Sequence, residues 1–102
     1  MVIYYLTCAN KDEAQKITQE LLEAKLVACI RQTNVSSSYW WDGKINHDNE
    51  VLLMMEGLED KFAAVEAVVT RLHSYDEFVL TMVPVQKTTS GVQQWLDNTL
   101  KQ

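Results

Sequence analysis

No stretch of this chain approaches the ~18 consecutive apolar residues that a membrane-spanning helix needs. Met1 to Leu6 lacks the basic start and the length of a secretory signal. Lysine and arginine are few, nine against fourteen acidic residues, and they stand singly. With a net charge of −5 and no basic stripe, the surface is wrong for a phosphate backbone, so nucleic acid and membrane are both expected non-partners. Only two cysteines occur, Cys8 and Cys29, too few for a disulfide framework. The expected compartment is the cytosol. Glycine appears three times, at Gly43, Gly57 and Gly91, and proline once, at Pro84. A glycine-rich phosphate loop is therefore excluded, and neither GxSxG, HExxH nor paired CxxC motifs occur. No enzyme class is indicated.

What is present is a regular alternation of strand and helix signals in 102 residues, read as a single domain over 1–102. Val2 to Leu6 is a continuous run of apolar and aromatic residues, which predicts a buried strand. Asn10-Lys-Asp-Glu13 has the form of a capping box. Ala14, Ile17, Leu21 and Leu22 then recur at helical spacing, which predicts a helix from about Lys11 to Lys25. Val27 to Ile30 restarts a strand. The polar segment Gln32–Ser38 is expected as an irregular or bulged continuation into Tyr39-Trp40-Trp41.

Asp42-Gly43 is the strongest turn signal in the chain, because a two-residue type I′ hairpin requires φ > 0 at both positions. Val51–Met55 forms the returning strand. Phe62, Val65, Val69 and Leu72 mark a second helix with Asp60 as its expected cap. Phe78–Val85 reads as a last strand, at an edge because of Pro84. Ser90 with Gln93 suggests a second capping box, opening a short C-terminal helix through Trp95 and Leu96.

The order β-α-β-β-α-β-α is that of an α+β fold: a ferredoxin-like βαββαβ unit plus a C-terminal helix, with an antiparallel sheet and a long β2–β3 hairpin. Right-handed crossovers put both long helices on one face and give the strand order 4-1-3-2. The strands are too uniformly apolar for one face to be wet. Self-association through that face and through the arm residues Tyr39, Trp40 and Trp41 is therefore expected.

The same topology brings Cys8, just past the first strand, toward His73 at the end of the second long helix, with Asp76 and Glu77 close by. A thiolate and an imidazole suit copper or zinc, and a carboxylate can complete the shell. Two other readings stand beside this one. Cys8 can pack as a small hydrophobe, and His73 can serve the helix C-terminus. Cys29 reads as core and His47 as solvated. An acylphosphatase reading fails, because the loop Thr7-Cys-Ala-Asn-Lys11 has neither arginine nor glycine.

Taken together, Cys8-Ala-Asn-Lys-Asp-Glu-Ala14, Leu26-Val-Ala-Cys29, Ser38-Tyr-Trp-Trp-Asp-Gly-Lys44, Glu50-Val-Leu-Leu53, His73-x-Tyr75, Val83-Pro-Val85 and Trp95-Leu96 resemble the CutA divalent-cation tolerance proteins over essentially the whole chain. The resemblance implies a homotrimer with PII-like subunits whose hairpins pack onto their neighbours. It implies a part in copper tolerance and cation binding, with the thiol at Cys8 and the imidazole at His73. No obligatory cofactor follows, only Cu2+ or another divalent cation as a ligand. The sequence departs from the family pattern at Ser74 (usually proline), at Phe78-Val79 (Pro-Glu), at Glu56-Gly57 (lysine then threonine) and at Asn34-Val35 (Pro-Gly). These changes leave two other functions to weigh: a PII-like regulatory module holding a small anion between subunits, and a purely structural trimer.

Overall fold

The computed structural model describes residues 1–101. Its elements are β1 (Val2–Cys8), α1 (Lys11–Glu23), β2 (Val27–Trp41), β3 (Lys44–Gly57), α2 (Phe62–Leu72), β4 (Leu80–Pro84) and α3 (Val92–Leu100), with a single 3-10 turn at Glu59–Lys61 before α2. The four strands form one antiparallel sheet in the order β2-β3-β1-β4. This is the ferredoxin-like α+β arrangement with an added C-terminal helix, in the strand order expected.

In β1 the apolar run divides by strand alternation. Val2, Tyr4, Leu6 and Cys8 are buried beneath the helices, and Ile3, Tyr5 and Thr7 take the other face. Leu53 and Met55 of β3 join the first set, where they meet Ile17 and Leu21 of α1 and Val65 and Val69 of α2. No described element covers the second face. Tyr5 is 37% exposed there and Val83 41%, with Leu52 and Met54 half-buried between them.

Several local expectations change. α1 ends at Glu23, two residues early, in a Schellman motif. The Leu26 amide donates to the Leu21 carbonyl at 3.0 Å, the Lys25 amide donates to that of Leu22 at 3.0 Å, and Lys25 takes a left-handed φ of 54°. The polar segment of β2 is not irregular: β2 pairs with β3 residue for residue from Cys29 to Trp41. Its one bulge lies earlier, where Ala28 is skipped between Val27 and Cys29. Backbone pairing along the hairpin satisfies the strand whatever its side chains, so polarity alone does not break it. The arm ends as expected, with φ of 52° at Asp42 and 73° at Gly43.

Asp60 does not cap α2; it sits inside the 3-10 turn, and the helix has no side-chain cap. Ser90 does not cap α3 either. Gly91, at φ 92°, holds that position, and Gln93 instead accepts from the Met1 ammonium at 3.0 Å. β4 begins only at Leu80, because Phe78 turns back to stack on His73. Leu96 and Leu100 of α3 bury with Leu58 against Met1 and Ala28, closing the lower end of the sheet.

Gly57 ends β3 in the space that the Tyr4 ring needs. A Cβ there would stand 2.9 Å from Tyr4 Cε2, while the Tyr4 hydroxyl is tied to the Leu58 carbonyl. Neither ring nor strand can move far, so Gly57→Ala is expected to cost about 1–3 kcal/mol, read as a lowered melting temperature. An unchanged melting temperature would mean that the ring can shift.

Candidate metal centre and the cavity beside it

Three elements converge at the end of the sheet where β1 stops. β1 delivers Cys8 to the helix side, fully buried and paired in register with Val51. α1 delivers Glu13 from its first turn. The Asn10 side chain accepts the Glu13 amide at 2.9 Å, as a capping box requires. The carboxylate then reaches one residue further back than usual, accepting the Ala9 amide at 2.7 Å. Its other oxygen accepts the Ser74 amide at 2.6 Å. α2 delivers His73, whose extended φ/ψ of −76°/140° ends the helix and turns the chain toward β4.

The two backbone partners of His73 fix its tautomer. Nε2 lies 2.8 Å from the Thr7 carbonyl, which can only accept, so Nε2 carries the proton. Nδ1 lies 3.0 Å from the Tyr75 amide, which can only donate, so Nδ1 is bare. The ring is neutral, fully buried, and stacked on Phe78 with centroids 5.2 Å apart. Nε2 is also 3.6 Å from the nearer Glu13 oxygen. One donor atom from each of Cys8, Glu13 and His73 lies within 4.8 Å of the others.

Electrostatics divides the cluster. Burial, with Glu13 and Glu50 nearby, pushes the Cys8 thiol up to about 12. Burial pushes Glu13 the same way, but the Ser74 and Ala9 hydrogen bonds outweigh it and hold its carboxyl below the ordinary 4.5. The resting cluster is thus a neutral thiol, a carboxylate and a neutral imidazole.

Cys8 and His73 meet as the topology requires. Asp76 and Glu77 do not join them; they line a cavity of about 590 Å³ on the opposite face of the sheet, between the arm and the 75–79 loop. Tyr75 links the two places. Its amide holds His73, and its hydroxyl donates to Glu50 of β3 at 2.8 Å. Burial and that bond push the Tyr75 phenol up. On the arm the Tyr39 hydroxyl is tied to Asp48. Trp40 and Trp41 stand 72% and 59% exposed. His47 pairs with Ser38 across the hairpin at 2.9 Å, exposed as expected. Cys29 is only half-buried and lies beside Glu56, which is paired with Arg31, so it is less of a core residue than expected.

Sequence reasoning missed two carboxylates. Glu13 was visible only as a cap, yet the same first-turn position that lets it cap carries it to His73. Glu50, the acid that opens the apolar run Val51–Met55, is 8% exposed. An acid bordering such a run is the one signal that could have marked it.

A ferredoxin-like α+β sheet thus carries a long hairpin arm and gathers a thiol, a carboxylate and an imidazole at one end. Residues 2–99 match the family model described as CutA1 divalent ion tolerance protein, and the chain belongs to that family. The divalent-cation tolerance protein CutA of Archaeoglobus fulgidus is 32% identical over 97 residues, 95% of each chain. Its counterpart from Pyrococcus horikoshii is 30% identical over 96 residues, 94% of each. The solved Archaeoglobus structure superposes with a TM-score of 0.94, covering 98% of this chain and 99% of that one. A crystal structure of CutA1 from Pyrococcus horikoshii gives 0.93 at 28% identity, with both chains fully covered.

Proposed function

We propose that this chain serves divalent-cation tolerance as a non-enzymatic homotrimer that takes a copper-class divalent cation at Cys8, Glu13 and His73. The observation that carries the reading is the convergence of a thiol, a carboxylate and an imidazole from three separate elements within 4.8 Å. The donor set fits a borderline cation: sulfur and imidazole select copper or zinc over magnesium or calcium, and the carboxylate offsets the metal's charge. Bound there, the cation would supply a positive centre that ties β1, α1 and the end of α2 together.

The resting hydrogen bonds set the terms of binding. The Cys8 thiol must lose its proton, and His73 must give up either the Thr7 carbonyl or the Tyr75 amide. Uptake is therefore proton-coupled, weak at neutral pH and weaker as pH falls. The cytosol, expected from the sequence, stays part of this reading.

Calorimetric titration of Cu2+ or Zn2+ into wild type and into Cys8→Ser and His73→Ala tests the site. Saturable binding is expected in wild type, reduced at least about tenfold in each variant. Matching isotherms would remove the cluster from consideration. The alternative of a small anion held in the cleft meets an unfavourable field, since Glu50, Asp76 and Glu77 border the cavity and no lysine or arginine lines it. A purely structural trimer is the reading left if no cation binds.

A further inference from the structure

The cavity between the arm and the 75–79 loop has a chemistry of its own. The aromatic residues Tyr39, Trp41 and Tyr75 line it, with Trp40 at its edge. Glu50, Asp76 and Glu77 supply carboxylates, and no basic side chain faces them. Glu50 is the anchor. It is more than nine-tenths buried, and one of its oxygens accepts the Tyr75 hydroxyl. None of the ion pairs among the described residues includes it. A buried carboxylate without a cation is costly, and folds supply such groups with a partner. The volume, about 590 Å³, is that of a small-molecule site rather than of a bare ion.

We propose that this cavity binds a small organic cation, an alkylammonium or quaternary ammonium compound, seated on Glu50 and flanked by the arm aromatics. The carboxylate supplies the charge, and the ring faces supply the cation–π attraction that favours a weakly hydrated ammonium over a metal ion. By strand alternation Trp41 and Tyr39 share the helix-free face with Glu50, so the arm brings ring and carboxylate together. The site is separate from the Cys8 cluster, which lies on the other face, and its test does not depend on metal binding.

Calorimetric titration of the intact protein with choline and with putrescine tests this. Saturable binding is expected. Glu50→Gln should weaken it about tenfold or more, and Trp41→Leu about three- to fivefold at unchanged charge. Trp41→Leu keeps the Glu50 carboxylate, so it reports on the site even where Glu50→Gln disturbs folding, and light scattering showing the wild-type particle mass separates lost binding from lost assembly. Glu59→Gln, on the exposed 3-10 turn, should bind as wild type does. Absence of saturable binding, equal binding by Trp41→Leu, or equally tight binding of Mg2+ at matched ionic strength would each overturn the proposal.

Discussion

Glu13→Gln is expected to destabilise the protein by about 2–4 kcal/mol at neutral pH. The carboxylate accepts amides from two directions, Ala9 at 2.7 Å and Ser74 at 2.6 Å. A glutamine has one acceptor oxygen. Its NH2 would point at one of those donors and leave a buried N–H without a partner. The loss is felt beyond α1, because Ser74 opens the segment that also holds His73 and Tyr75.

The pH dependence has a definite sign. The folded-state pKa of Glu13 lies below its ordinary value of 4.5. Its contribution is therefore fully present above that value and is lost as pH falls through the depressed one. The gap between wild type and Glu13→Gln should narrow across that acidic window. Urea unfolding at pH 7 and in the acidic range, at equal protein concentration, measures both. A gap below about 1 kcal/mol at pH 7 would mean that the two amides find other partners.

Tyr5→Glu is expected to convert the assembled protein to monomer. Tyr5 sits near the middle of the helix-free face, beside Met54 on β3 and Thr81 on β4, with Ile3, Leu52 and Val83 around it. In a monomer its ring is already 37% exposed, so a carboxylate there costs the subunit little. Buried between copies, the same charge has no partner and costs several kcal/mol. Light scattering should give about three times the 11.7 kDa subunit for wild type and one times for Tyr5→Glu, with unchanged circular dichroism. Monodisperse wild-type monomer would contradict assembly through this face.

These two residues also show what could be read from the sequence. Tyr5 was legible: strands apolar on nearly every residue announce a sheet whose second face is to be covered, and the fold confirms that no described element of this chain covers it. The hairpin was legible from Asp42-Gly43, since few residue pairs tolerate two positive φ values in succession. The strand order followed from the crossovers, and the meeting of Cys8 with His73 followed from the strand order.

Glu13 was legible only as a cap. A capping box specifies a local bond three residues away, whereas the bond from Ser74 joins residues 61 apart in sequence. Spacing rules do not reach that far. The caps of α2 and α3 failed for the opposite reason. Asp60 and Ser90 have the right residue type, but a 3-10 turn and the positive φ of Gly91 satisfy those helix starts without them. The polar half of β2 was misjudged because its regularity comes from pairing with β3, which its own composition does not encode. Asp76 and Glu77 were placed near Cys8 by proximity in sequence to His73. Tyr75 directs the chain over the sheet end, and the two acids emerge on the other face.

The proposed divalent-cation site lies where Cys8, Glu13 and His73 meet. Crystals of the protein loaded with Cu2+ or Zn2+, measured at that metal's absorption edge, test it most directly. One anomalous peak per subunit is expected, within bonding distance of the Cys8 sulfur and the His73 ring. A peak confined to other residues, or none at saturating metal, would contradict it.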